Sequence, residues 1–155
     1  MRGLAVGLAA AALAIAPAAH AEEACKLMQD VVREGLTDKS FAAFRPVQPP
    51  VRIPGGVRRV DRDVRATRQV DGFECRVLLY GDRNFFDCDR TTAGDAYAEV
   101  AALSARLEKW LKVRPDRRRD SYSSRATFTI RATPNLYVYV AGTRDRQVYL
   151  KVVAH

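Results

Sequence analysis

The sequence predicts an α+β fold: a helix plus a three-stranded antiparallel meander, then a second helix plus a second three-stranded antiparallel meander. Three observations lead there. Phe73 to Asp89 (FECRVLLYGDRNFFDCD) sets two apolar runs around Gly81-Asp82, a two-residue hairpin signal. Residues 125–152 alternate apolar and polar with period two through three successive segments. Two further stretches, 22–35 and 92–112, repeat their apolar residues at helical spacing instead.

Ahead of all these lies a segment that does not belong to the fold. Arg2 is a minimal positive region, Leu4 to Ala16 is apolar, Pro17 breaks the run, and Ala19-His20-Ala21 is a cleavage signature. This reads as a bacterial-type secretory signal peptide, residues 1–21, removed after Ala21, and the run is too short to span a bilayer. Residues 22–155 then form a single periplasmic or secreted α+β domain of 134 residues, and the net charge falls from +8 to +7 with the loss of Arg2.

Within that domain, Cys25, Met28, Val32 and Leu36 mark the inner stripe of the first helix, with Gly35 as its stop. Asp38 or Ser40 caps a short turn that carries Phe41 and Phe44 as core plugs. Pro46, Pro49, Pro50, Pro54 and Gly55-Gly56 make an extended connection. Val57 to Val70 is an Arg-rich strand that ends at Asp71-Gly72, a type I′ signal. That turn pairs Val70 with Phe73, Ala66 with Val77 and Val64 with Leu79. It places Val64, Ala66, Val70, Phe73, Val77, Leu79 and Phe86 on one face, with Arg68 as a blemish to be removed by snorkelling or a bulge.

Around Gly81-Asp82 the turn fixes the register: Tyr80 faces Arg83, Leu78 faces Phe85, Arg76 faces Asp87 and Cys75 faces Cys88. Residues 75 and 88 fall on a non-hydrogen-bonded pair, whose Cα atoms lie about 4.5 Å apart, within disulfide reach. A Cys75–Cys88 bridge is expected, worth roughly 3 kcal/mol in chain entropy. The two turns are also mutually consistent, since each assigns the middle strand's hydrogen bonds to opposite residue parities. Cys25 is left over; a buried apolar group is preferred to a redox thiol, an intermolecular bridge or exchange with the other two.

Thr92-Ala93-Gly94-Asp95 resembles a capping box, and Val100, Leu103, Leu107, Trp110 and Leu111 form the stripe of a helix that Pro115 terminates. Asp116 to Ser124 reads as a polar basic loop. Turns at Thr133-Pro134-Asn135 and Gly142 to Arg146 then separate the last three strands. The order helix, meander, helix, meander admits two copies of one αβββ unit, each sheet covered by its own helix.

Catalytic signals are sparse, and a non-enzymatic role is favoured. His20 leaves with the leader, so only the terminal His155 remains to serve a nucleophile or a metal, and no cofactor motif is present. Asp61 with Asp63, Asp87 with Asp89, and Glu74 leave a small carboxylate-dependent hydrolase of an envelope polymer as the alternative, with a structural or accessory subunit as a third reading. The preferred reading is a binding domain. Tyr137, Tyr139 and Tyr149, flanked by Arg125, Arg131 and Lys151, share the polar face of the last meander. Arg117, Arg118 and Arg119, with Arg114 and Tyr122, form a second candidate in the basic loop. The 21 Arg against 5 Lys suit carboxylate or phosphate partners. Export makes nucleic acid an unsuitable partner, so an anionic envelope component or an acidic protein surface is expected.

Overall fold

The computed structural model describes residues 16–47, 62–70, 72–132 and 135–155. The expected leader up to residue 15, the Pro/Gly connection over 48–61 and the Thr133-Pro134 turn lie outside them. So do the side chains of Cys25 and Arg131.

Among the described residues, seven strands form one antiparallel sheet rather than two smaller ones. They are β1 (Asp63–Arg65), β2 (Glu74–Leu79), β3 (Asn84–Thr91), β4 (Asp116–Arg119), β5 (Ser123–Ala132), β6 (Asn135–Thr143) and β7 (Gln147–Ala154), in the spatial order β1-β2-β3-β7-β6-β5-β4. The two meanders join where β3 pairs with β7, Asn84 opposite Ala154 through Thr91 opposite Gln147. Pairing the two strands removes two open sheet edges at once. The second meander also gains a strand: Asp116–Arg119, expected as loop, pairs with β5 and forms the sheet's outer edge. Its DRRR sequence has no alternation to betray it, because an edge strand with every residue exposed is under no burial constraint.

The β2–β3 hairpin has the register read from its turn, including Arg76 opposite Asp87 and Cys75 opposite Cys88. Gly81 takes φ 82°, and the Tyr80 amide donates to the Arg83 carbonyl. Cys75 and Cys88 are disulfide-bonded, fully buried, with Cα atoms 4.0 Å apart. The β1–β2 ladder differs from expectation. Val64 lies opposite Val77, not Leu79, and Arg65 opposite Arg76. The turn itself closes, the Phe73 amide donating to the Val70 carbonyl, but the chain between Ala66 and Val70 loops out around the Gln69 side chain. Gln69 donates to the carbonyls of Ala66 and Cys75 and accepts the Cys75 amide. The slip is by two residues, so every side chain keeps its face. It also disposes of the Arg68 blemish: Arg68 sits on the looped chain, bonded to Asp30 and lying 5.7 Å over the Phe44 ring.

Two helices, α1 (Ala16–Thr37) and α2 (Ala96–Leu111), cover one face of the sheet and touch each other. α1 lies against β6 and β7, and α2 against β5, β6 and β7, so the helices do not divide one to each meander. The β2–β3 half is covered instead by Phe41 and Phe44, whose rings meet Phe86. Asp38 organises that turn, accepting from the amide and hydroxyl of Ser40 and the amide of Ala42.

Several helix details depart from expectation. From Lys26 onward the buried residues of α1 are Leu27, Met28, Val31, Val32 and Gly35, while Leu36 is exposed. Gly35 does not stop the helix; it faces the core, where a Cβ would lie 2.9 Å from Leu136. α2 is capped by Asp95, which accepts the Tyr97 amide, rather than by Thr92. It ends at Leu111 through Lys112 in the left-handed region, three residues ahead of Pro115. Gly142 is not a turn residue either. It lies within β6, and a Cβ there would meet the Ala96 carbonyl oxygen at 2.7 Å. The turn to β7 starts after it, at Arg144 to Arg146, with the Arg146 amide bonded to Thr143.

Candidate functional site

With both helices on one side, the opposite face of the sheet carries no helix among the described residues and is called the open face. Cross-strand register decides who meets there. One row runs Asp116, Thr127, Tyr139, Lys151, Asp87, Arg76, Arg65 across all seven strands. The next runs Arg118, Arg125, Ala141, Tyr149, Asp89, Glu74. A third brings Thr129, Tyr137, Val153, Phe85 and Leu78 together.

Tyr137, Tyr139, Tyr149 and Lys151 are therefore brought together, each half-buried, as the alternation required. Lys151 is not a free cation. Its ammonium donates to Asp87 at 2.8 Å and lies 5.2 Å over the Tyr149 ring. Although Arg76 faces Asp87 across the hairpin as expected, it forms no ion pair with it: Arg76 bonds Asp63 at 3.1 Å and approaches Glu74 instead. Arg131 departs from the group. β5 carries one extra residue between Thr129 and Arg131, and past this bulge Arg131 occupies the register position of Leu136 instead of a tyrosine.

The three arginines of β4 separate by parity. Arg118 stands on the open face opposite Arg125, bonded to Asp116 at 3.1 Å. Arg117 and Arg119 turn to the helix side, where Arg117 bonds Glu108 and Arg119 lies 5.0 Å over the Tyr97 ring. Arg125 makes no ion pair among the described residues and is exposed. Asp120, in the β4–β5 turn, accepts the Tyr122 and Ser123 amides, which hold its carboxyl below the ordinary value with a small contribution from the Arg125 charge.

Among the described strand residues of the open face, five cations stand against five carboxylates, and the two signs are unevenly placed. The β4–β5 end holds Arg118 and Arg125 against Asp116. The β7 to β1 end holds Lys151, Arg76 and Arg65 against Asp87, Asp89, Glu74 and Asp63. Among the strand residues the expected excess of positive charge is thus confined to one end, where Asp120 in the adjoining turn is held by the Tyr122 and Ser123 amides.

Sequence reasoning missed the apolar members of this face, Val153, Phe85 and Ala141. Val153 and Ala141 are 2% and 3% exposed despite lying on the uncovered side. Their signal was visible as breaks in alternation, Val152-Val153-Ala154 and Val140-Ala141-Gly142. Larger neighbours overhang both: Tyr137 and Phe85 flank Val153, and Arg125 and Tyr149 flank Ala141.

Of the hydrolytic carboxylates, Asp61 lies outside the described residues, Asp63 is engaged by Arg76 and Asp87 by Lys151. A cleft of about 430 Å³ does exist, between the start of α2 and the β6–β7 turn, but its one acid is the helix cap Asp95, facing Arg144 and Arg146. Among the described residues no group of three His, Cys, Asp or Glu side chains is placed to hold a metal ion. The His155 amide donates to the Asn135 carbonyl, and its ring lies 5.9 Å from that of Tyr137.

No protein family, curated protein or solved structure shows a significant match to this chain. Among the described residues no helix is long and apolar enough to cross a membrane.

Proposed function

We propose that this chain is an exported, non-enzymatic binding domain that holds an anionic partner at the β4–β5 end of its open sheet face. The Arg118–Arg125 pair carries the reading. Like charges directly opposite on neighbouring strands destabilise a sheet. Arg65 and Arg76 also face each other, but Asp63 and Glu74 engage Arg76. Arg118 is bonded to Asp116, while Arg125 makes no ion pair among the described residues, and the neighbouring Asp120 carboxylate is taken up by the Tyr122 and Ser123 amides. A carboxylate or phosphate between the two guanidinium groups relieves the repulsion through bidentate hydrogen bonds. Tyr149, across the Ala141 dip from Arg125, offers a rigid apolar shoulder for the same ligand.

The exported compartment rests on the leader-like sequence and on the buried Cys75–Cys88 bridge, which an oxidising environment favours. Scission after Ala21 falls within α1 yet leaves its buried residues from Leu27 onward untouched.

The test is retention on poly-L-glutamate and on phosphatidylglycerol vesicles across a salt series. Binding to at least one is expected to weaken steadily with salt. The Arg118→Ser, Arg125→Ser double variant should bind about tenfold more weakly with a melting temperature no lower than that of the unaltered protein. Absence of binding at low salt, or binding indifferent to the double variant, sinks the reading.

A further inference from the structure

We propose that the partner is a polypeptide segment that adds to the sheet as an eighth strand, antiparallel on the β4 edge, with an acidic residue set opposite Arg118. This deepens the anion-binding reading above and rests on it.

The hydrogen-bond parity of β4 is fixed from two directions. The Asp120 amide donates to the Ser123 carbonyl, so Asp120 and Ser123 are a hydrogen-bonded pair. Stepping two residues at a time makes Arg118–Arg125 and Asp116–Thr127 bonded pairs as well. Independently, the Arg144 amide donates to Tyr122, so the even-numbered residues of β5 bond β6 and the odd ones are left for β4. The amides and carbonyls of Arg117 and Arg119 therefore point off the sheet. β4 is the outermost strand of the described sheet, and all four of its residues are exposed.

Charge selects what can occupy this edge. A second copy of β4, centred on Arg118, would set Arg118 against Arg118, Arg117 against Arg119 and Asp116 against Asp120, like against like throughout. The edge is guarded against self-pairing, the usual service of charge on an edge strand. An incoming strand with a carboxylate opposite Arg118 meets the opposite situation: on the open face it fronts the Arg118–Arg125 pair. Its residues two places either side face Asp116 and Asp120 and must not be acidic. Those opposite Arg117 and Arg119 lie on the helix side, where Glu108 and Tyr97 already engage the two arginines, so uncharged residues fit. The segment recognised is thus extended, with one central acid among neutral residues.

The probe is a blocked seven-residue threonine peptide with a central glutamate, titrated into the isotopically labelled protein. In the free protein the Arg117 and Arg119 amides should exchange fast, and the Arg118 amide slowly. Peptide should slow the first two at least tenfold and leave the third unchanged. N-methylating the two threonines beside the glutamate removes the amides that point at β4 and should abolish binding. N-methylating the glutamate itself, whose amide points away, should not. Exchanging charges, Arg118→Glu with a central lysine in the peptide, should restore the binding that either change alone removes. Equal binding by both methylated peptides, or no peptide binding while poly-L-glutamate is retained, overturns strand addition and leaves the anion-binding reading standing. Failure of peptide, poly-L-glutamate and anionic vesicles alike overturns both.

Discussion

Gly142 shows how much a single missing methyl group decides. α2 approaches β6 so closely that its Ala96 carbonyl and the Val100 side chain occupy the space of a Cβ, at 2.7 and 2.9 Å. One neighbour is backbone and cannot rotate away, so the helix itself must move. Gly142→Val is expected to destabilise the fold by about 1–3 kcal/mol, the usual cost of overpacking, read as a lower denaturant midpoint. Gly94, where the nearest atom to a Cβ is the Thr92 hydroxyl at 3.8 Å, is the comparison site: Gly94→Ala should be far milder. Nothing in the local sequence separated these glycines. Gly142 precedes a polar stretch and reads as a turn, because its reason for being glycine sits on a helix some forty residues earlier.

Among the elements, the Phe41–Phe44 turn bears the most on stability for its length. It lays two buried rings against Phe86 on the part of the sheet that α2 does not reach. Burial alone would raise the Asp38 carboxyl. The Ser40 amide and hydroxyl, the Ala42 amide and the Arg45 charge outweigh it and hold the pKa below the ordinary value. A depressed carboxylate contributes stability that is complete above its unfolded pKa, near 4, and is lost as pH falls through the lower folded value. The Ser40 and Ala42 amide resonances should therefore shift together below about pH 4, and Asp38→Asn should remove that step from the stability profile. A midpoint at or above the unfolded value would contradict the hydrogen bonding described. The turn was legible in sequence, Asp38 and both aromatics included, because its hydrogen bonds span only two to four residues.

At the scale of the whole molecule, the strands and the helices obey different logics. The order β1-β2-β3-β7-β6-β5 is nearly symmetric about the β3–β7 seam, as a duplicated unit would be. The helices break that symmetry, both leaning on the β5–β7 half, and among the described residues β4 has no counterpart beside β1. The seam's half-buried Lys151–Asp87 bond crosses from one meander to the other. The disulfide, by contrast, lies wholly within the first. Intact-mass analysis of exported material should find a chain beginning at Glu22 and lighter by two hydrogens than the reduced form. Reduction should lower stability by about 3 kcal/mol. Three freely reacting thiols in exported native protein would contradict both the bridge and the compartment.

What the sequence determined by itself lies at short range: the Gly81-Asp82 hairpin with its register and its cysteine pair, the Asp38 turn, the alternation that puts three tyrosines and Lys151 on one face, and the two helical stripes to within a residue or two, but not the equally local β1–β2 register, which the Gln69 side chain shifts. Turn geometry and period are properties of neighbours along the chain, so they can be read there. What only the tertiary structure decided is how those pieces meet. The joining of β3 to β7, the placing of both helices on one half of one face, the pairing of Lys151 with Asp87 and the capture of Asp116–Arg119 as an edge strand all depend on contacts between residues far apart in sequence. A polar strand without alternation carries no local mark of its state, because the hydrogen bonds that define it belong equally to its neighbour.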